Sequence, residues 1–342
     1  MAFYQCLQCK KRWEYPISEC PYCFVALEKM ESKTCRVNSV IKVAIPTLFH
    51  PNVPYYILLL EDEMANFWGY KSEKEYQAGD EFKLQPDQNA VAIWRVKYDV
   101  IEAVGKALEL MGDINVGKDS KVVILPTLAK PSHAYFRDNA SPEFLSAVLQ
   151  ILLGRGVEAK NITVAGQSFD DLPVVAVAQK SGLIDAGAKF GVAALDLATG
   201  EFERMGNFEI SKTILSADLV INLAMEKIGA ANATNNLFRV LKKENYLGQK
   251  YLSSDAEIVA ALEPILDKMI VIGEAENVQR SNKLTSFMGL VLAGRSSRNI
   301  DRVFNEIAQS FKVPETIKDI PVQDIAIAGR TIKEVQYCAE IF

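Results

Sequence analysis

The residues that most narrow what this chain can fold into are Cys6-Leu7-Gln8-Cys9 and Cys20-Pro21-Tyr22-Cys23. Two C-x-x-C turns, separated by residues 10–19, each bring two sulfurs round to one point, and four thiolates close a tetrahedron about a metal ion. Cys6, Cys9, Cys20 and Cys23 are therefore the expected metal ligands, with zinc favoured and iron the alternative. Lys10, Lys11 and Arg12 follow the first turn and offset the double negative charge of a four-thiolate zinc centre. The competing structure is a pair of disulfides, which belongs to small secreted chains. Residues 1–6 lack the apolar segment of an export signal. Cys35 and Cys338 are left over as ordinary thiols, Cys35 being a remote candidate for a spare ligand.

The chain has 342 residues, enough for two or three domains, and 49% of them are hydrophobic, so a sizeable core is expected. A net charge of −5 gives no bulk basic surface for nucleic acid. No apolar run reaches the roughly 18 residues of a membrane span. Metal-type cysteine spacing without an export signal predicts a cytoplasmic protein. There are two histidines, His50 and His133, and neither lies in a recognisable nucleophile motif.

After the second cysteine pair comes a polar stretch, Glu28 to Thr34, and then short strands: Val37 to Pro46, Tyr55 to Leu60 and Ala65 to Tyr70. Gln77-Ala78-Gly79-Asp80 is a turn before Glu81-Phe82-Lys83-Leu84. This pattern predicts a small barrel or sheet. The cysteine ribbon, Phe49-His50-Pro51, Val53-Pro54-Tyr55-Tyr56 and Ala78-Gly79-Asp80-Glu81-Phe82 together resemble domain-of-unknown-function family 35 over residues 1–86. The resemblance implies a rubredoxin-like zinc ribbon joined to an OB-fold. It also implies association with thiolases and related acyl-CoA condensing enzymes, and a part in holding coenzyme A. Phe67, Trp68 and Tyr70 are aromatics of the kind OB-folds stack on single-stranded nucleic acid. The nearby Glu61, Asp62 and Glu63 repel phosphates, so these aromatics are expected in the core and no nucleic-acid partner is expected.

From Asn89 the rhythm becomes that of strand and helix in alternation. Val91 to Val96 and Lys121 to Leu125 are strands. Between them lies an amphipathic helix, Asp99 to Met111, with Asp99 as N-cap and Gly112 as stop. Ser141-Pro142 opens the next helix, with Ser141 as N-cap and Pro142 in the first turn, and Asn161 to Ala165 is the following strand. Helices at Leu172 to Ser181, Ala256 to Leu266 and Asn299 to Phe311 alternate with strands at Gly191 to Leu195, Leu219 to Leu223, Met269 to Ile272 and Gly289 to Ala293. Ile210 to Ser216 is a helical approach to the strand at Leu219. The fold class expected is multidomain: a zinc ribbon (1–35), an OB-like β-barrel (36–87), an α/β domain with a mainly parallel sheet (88–330) and a C-terminal tail (331–342).

This half resembles domain-of-unknown-function family 362 over residues 89–329, through Lys121-Val122-Val123-Ile124-Leu125-Pro126, Ser141-Pro142-Glu143-Phe144-Leu145, Asn161-Ile162-Thr163-Val164-Ala165-Gly166 and Ala217-Asp218-Leu219-Val220-Ile221-Asn222. The family's lysine and asparagine around the proline are here Leu125 and Thr127, and its lysine-threonine-histidine is Lys227-Ile228-Gly229. Lys227 and Thr234 are the site residues the resemblance carries over.

Open α/β sheets bind ligands outside the carboxyl ends of their strands. That rule selects four loops: Lys130, His133, Arg137 and Asp138; Gln167, Ser168, Asp170 and Asp171; Glu226, Lys227, Asn232, Thr234 and Asn235; and Glu274, Glu276, Arg280 and Asn282. The candidate catalytic residues are Lys227, His133 and Thr234, with Lys227 supplying charge and His133 acting as acid or base on a small anionic or carbonyl compound. Solvated loop side chains are the bland alternative. No phosphate-binding glycine loop is present: Val164-Ala165-Gly166-Gln167-Ser168 has one glycine.

Three functions are expected in this order. The first is a cytoplasmic accessory or scaffold protein that docks a thiolase-like enzyme or coenzyme A. The second is an enzyme working on a small acid or acyl compound in the α/β cleft. The third is rubredoxin-like electron transfer through iron. No membrane contact is expected, and an oligomer is compatible with all three.

Overall fold

A computed structural model describes residues 2–13, 19–31, 34–46, 53–62, 65–72, 75–83, 89–112, 114, 116–168, 172–245, 257–258, 261–280 and 283–337. The Phe49-His50-Pro51 motif, Glu63, Leu84, Asp170, Asp171, Asn282 and Cys338 lie outside the described residues, as does part of the helix expected over 256–266. The chain divides into two compact units, Met1–Pro86 and Asp87–Phe342.

The first unit begins with a small antiparallel sheet. Strands Ala2–Gln5 (β1), Arg12–Trp13 (β2) and Glu28–Glu31 (β3) lie in the order β2-β1-β3. The stretch Glu28 to Thr34, expected to be a polar connection, therefore supplies a strand. It has one apolar residue in four, so no alternation marks it, and its pairing with β1 from Gln5↔Glu28 to Ala2↔Glu31 is what fixes it. Four longer antiparallel strands follow: Thr34–Val43 (β4), Tyr55–Asp62 (β5), Phe67–Ser72 (β6) and Glu81–Lys83 (β7), in the order β6-β5-β4-β7. Alternation along β5 turns Leu58 and Leu60 inward onto Val37, Tyr56, Trp68 and Phe82. Its other face stays open, with Ile57, Leu59 and the register partner of Ile57, Ile41, all exposed. Among the described residues the expected barrel is an open sheet, because β6 and β7 pair only inward.

The second unit is built on an eight-stranded sheet. Its elements in chain order are Val91–Arg95 (β8), Val100–Leu110 (α1), Val122–Pro126 (β9), Pro142–Gly154 (α2), Ile162–Gly166 (β10), Val174–Lys180 (α3), Leu183–Ala188 (α4) and Ala194–Asp196 (β11). A hairpin, Phe202–Met205 (β12) and Phe208–Ser211 (β13), stands apart from the sheet. Lys212–Leu215 (α5), Leu219–Lys227 (β14), Asn232–Leu237 (α6), Glu263–Leu266 (α7), Met269–Gln279 (β15), Thr285–Gly294 (β16), Ser297–Ile307 (α8), Ile327–Gly329 (β17) and Ile332–Val335 (α9) complete it.

The strand order is β11-β10-β9-β14-β15-β16-β8-β17. The sheet is mixed and mainly parallel: five of its seven strand pairings are parallel, and β16 runs antiparallel to both β15 and β8. The cause is a long hairpin. β15 continues through Glu274, Glu276 and Asn277, residues that read as loop, and returns as β16. One face of the sheet buries α1, α2, α3 and α4, and the other buries α6, α8 and the short α5, α7 and α9. β14 serves both layers, with Val220 and Ala224 toward α8 and Ile221 and Leu223 toward α2. The segment expected as a tail adds α9, whose Val335 is buried. Tyr337 there donates its amide to Ile307 O at 2.8 Å.

The helix starts follow from their caps. Asp99 accepts from the Glu102 amide at 2.8 Å and Ser141 from the Phe144 amide at 3.2 Å, each satisfying a donor the helix leaves free. No helix among the described residues is long and apolar enough to cross a membrane.

Candidate functional site

The four N-terminal cysteines sit on two turns of the same construction. Cys6 N bonds Lys11 O at 3.0 Å and Lys10 N bonds Cys6 O at 2.9 Å; Cys20 N bonds Val25 O at 2.9 Å and Phe24 N bonds Cys20 O at 2.8 Å. Each turn closes on a left-handed residue, Lys10 at φ 60° and Phe24 at φ 54°, a conformation that favours glycine. The result is convergence: the Sγ atoms of Cys6, Cys9, Cys20 and Cys23 all lie within 4.8 Å of one another, with Cys9 and Cys20 at 3.6 Å. A tetrahedron of Zn–S bonds of about 2.3 Å has sulfur–sulfur edges of about 3.8 Å, so this set fits a four-coordinate metal.

The local electrostatics fit as well. The Cys9 amide donates to Cys6 Sγ at 3.4 Å and pulls the Cys6 thiol down to about 7. Hydrogen bonding to Cys9 and burial push the Cys23 thiol up to about 12. Sulfurs crowded together without a cation hold on to protons, and a cation among them releases those protons. Lys11 stands over the Tyr22 ring at 3.2 Å, which keeps one of the basic residues beside the second turn.

The second unit gathers its polar residues at the carboxyl ends of β9, β14 and β15. The helix after β9 packs on one face of the sheet and the helix after β14 on the other, which makes the gap between these two strands a switch point. Lys227 ends β14 there, mostly buried, with Nζ 3.3 Å from Asp138 O and 4.0 Å from Asp138 Oδ1. Lys130 also meets Asp138, at 3.0 Å. Burial lowers the Lys227 pKa, Asp138 opposes that, and the charges of Lys130 and Arg239 add to it. Burial works against ionised Asp138, but hydrogen bonds from Lys130, Ser132 and Gln279 outweigh it and hold its pKa below the usual range. Arg137 is left-handed at φ 54° and reaches Glu274 at 3.3 Å, while Ser141 N donates to the other Glu274 oxygen at 2.8 Å. Burial still pushes Glu274 up to about 7.

The three expected catalytic residues are placed apart in function. Exposed His133 accepts from the Tyr135 amide at 3.2 Å, a bond within its own turn. Thr234 is buried at the start of α6, where its hydroxyl donates to Asp301 Oδ2 at 2.6 Å. Among the described residues no hydrogen bond or ion pair joins Lys227, His133 and Thr234 to one another; Lys227 is joined to Asp138 instead.

Sequence reasoning passed over Arg239, whose guanidinium donates to Gln167 O at 2.8 Å, and Asp301, which takes the Ala233 and Thr234 amides at 2.8 Å each. Asp301 lies one residue from Ile300 on a helix with a clear apolar stripe, so its burial left no mark in the pattern. Glu226, adjacent to Lys227, is fully buried on the α8 side, and neither of its carboxylate oxygens has a hydrogen-bond partner among the described residues. Desolvation and the neighbouring Asp301 push its pKa well above the ordinary carboxylate range. A Cβ at Gly273 would stand 3.0 Å from Glu226 Oε1 and 3.1 Å from Ile300 Cγ2, so glycine there leaves the space this carboxyl occupies.

No family model matches the chain, and no curated protein matches it. Among solved structures it is similar to one described as "Ltp2-ChsH2(DUF35) aldolase", with 20% sequence identity over 24% of this chain and 70% of that chain, at a TM-score of 0.21. That name carries the label of domain-of-unknown-function family 35.

Proposed function

We propose that Cys6, Cys9, Cys20 and Cys23 hold a structural zinc ion, and that the first unit is a zinc ribbon followed by an OB-like sheet. On this reading the protein is an accessory or scaffold that docks a thiolase-like acyl-CoA condensing enzyme or coenzyme A. The observation that carries the metal is the convergence of four sulfurs within 4.8 Å. With all four positions filled by protein, no coordination site is left open for catalysis, and the metal acts as a staple. Docking is supported by apolar side chains left in solvent: Phe24 on the second turn, and Ile41 and Ile57 side by side on the outer face of β4 and β5.

Metal analysis of the purified protein tests the first part. One equivalent of zinc in a colourless protein supports the staple; iron with visible absorbance replaces it by electron transfer. The second part is tested by mixing the protein with a thiolase-like enzyme from the same cell on a sizing column and by titrating coenzyme A. A stable complex weakened by Ile57→Asp, or saturable coenzyme binding, is expected. A monomer that ignores both sinks the docking reading and leaves the metal centre standing.

A further inference from the structure

We infer that the cavity at the carboxyl ends of β10 and β11 binds a small uncharged molecule, which donates from a hydroxyl or an amide to Gln167. The inference is independent of the metal centre and of the docking reading, and it gives the second unit a ligand class of its own.

The cavity has a volume of about 420 Å³, within the range of small-molecule sites. One wall is where two parallel strands end: Gln167 follows β10, and Ala198 and Gly200 follow β11. Open α/β sheets bind ligands at this end of their strands. The hairpin β12–β13 forms a second wall through Phe202 and Glu209, and Lys242 stands on a third. Hydrogen bonds tie the walls together. Gln167 Nε2 donates to Arg239 O at 2.6 Å and to Leu241 O, and Lys242 N donates to Glu209 O at 2.9 Å. The cavity is therefore shaped before any ligand arrives.

Two buried polar groups on these walls lack a partner among the described residues. Gln167 is fully buried and both its N–H bonds are spent on those carbonyls, so its Oε1 is left as an acceptor without a donor. Ser211 Oγ is likewise buried and unpaired. Ser211 pairs in register with Phe202 and stands two residues from Glu209, which puts it on the hairpin face that these two residues turn to the cavity. The charges, by contrast, are already matched. Lys242 meets Glu209 at 3.2 Å and Lys212 meets Glu201 at 2.8 Å. Lys243 and Glu244 bring one charge of each sign, so the described lining carries no net charge. A charged ligand would have to break those pairs, whereas an uncharged one leaves them intact and supplies the missing bonds. Gln167 Oε1 takes an O–H or an N–H, the Ser211 hydroxyl can donate or accept in turn, and the Phe202 ring adds apolar surface.

Hydroxyl and amide donors share the chemistry that fits, and the test separates them. D-Glucose and myo-inositol form one arm, acetamide and benzamide the other, each titrated into the full-length protein and followed by calorimetry. Acetate and ethylammonium are the charged counterparts. A probe of at least one arm is expected to saturate at one equivalent, with both charged compounds at least tenfold weaker. Ser211→Ala should raise that probe's dissociation constant several-fold, and Gln167→Met at least tenfold. Ala198→Trp, at an exposed position on the wall, should fill the cavity and abolish binding. Lys106→Gln, on an exposed ion pair elsewhere, should leave it unchanged. Circular dichroism and melting show which variants fold; if Gln167→Met does not, Ser211→Ala and Ala198→Trp decide. The inference is overturned if no uncharged probe saturates, or if a charged compound binds as tightly as the best uncharged one. Unchanged affinity in folded Ser211→Ala and Ala198→Trp overturns it as well.

Discussion

Removing the metal should unfold the ribbon and leave the second unit standing. Among the described residues before β4, the buried hydrophobic side chains are Cys6 and Cys20, two of the four proposed metal ligands. The strands there have four, two and four residues. Fixing their backbone costs on the order of 10–20 kcal/mol at roughly 1–2 kcal/mol per residue. The proposed structural zinc ion would contribute on the order of 10–16 kcal/mol, enough to offset that cost. Replacing one thiolate of four, as in Cys20→Ser, should remove on the order of a quarter of it, about 3–4 kcal/mol, and raise the zinc dissociation constant roughly 10²–10³-fold. A chromophoric chelator reads that constant. Hydrogen exchange with mass spectrometry reads the sheet: amides of β1–β3 should lose protection on chelation under reducing conditions, while those of β9 and β14 should keep theirs. Acid should weaken the metal as well, because bound thiols must lose protons, and the metal-free set keeps one at Cys23, whose pKa stands at about 12. Ribbon amides that stay protected in the stripped protein would refute this account, since the fold would then have a support other than the metal.

Four further outcomes follow from the geometry. Lys10→Gly and Phe24→Gly should each stabilise the metal-bound ribbon by about 0.5–1 kcal/mol in chelator challenge, because both residues are left-handed and largely exposed. Asp301→Ala should destabilise the second unit by roughly 3–5 kcal/mol in urea, since it strips the acceptor from two buried amides and the Thr234 hydroxyl, and Asp301→Asn should cost less. The folded Glu274 pKa lies at about 7, above its reference of 4.5. Its contribution is therefore fully present below 4.5 and is lost as pH rises through about 7, on the order of 3 kcal/mol in all, and Glu274→Gln should flatten that part of the pH–stability curve measured by urea melts. Leu58→Ala should lower the stability of the first unit's sheet by about 2–5 kcal/mol, read from Trp68 fluorescence during denaturation.

What the sequence revealed depended on whether a signal was local. The cysteine turns are legible because their spacing is their geometry, and Asp99 and Ser141 are legible because a cap acts three residues away. The alternating strands and helices were readable for the same reason. The direction of β16 was not, because strand pairing is a long-range choice and β15 hides its length behind Glu274, Glu276 and Asn277. The hairpin β12–β13 was missed because each arm is four residues long. Lys227 could be found from the rule about strand ends, and the strand does end there. Its partner Asp138 lies 89 residues away in the chain, and nothing in the intervening pattern ties the two together. Thr234 was assigned to the same cleft because it follows the same strand, yet α6 carries it beneath the opposite face.

Glu226 and Lys227 are neighbours in the chain and strangers in space. One turns toward α8, where burial raises its pKa well above the ordinary carboxylate range; the other reaches Asp138 on the α2 side and stays within reach of solvent. The strand between them works as a partition between two electrostatic compartments, and its phase matters as much as its composition. Deleting or inserting a single residue within Leu219–Lys227 would exchange the two compartments' charges, driving an ammonium into the dry layer against Ile300 and withdrawing it from the open one. Conservative substitutions along β14 are therefore expected to be survivable where a frame shift of one residue is not.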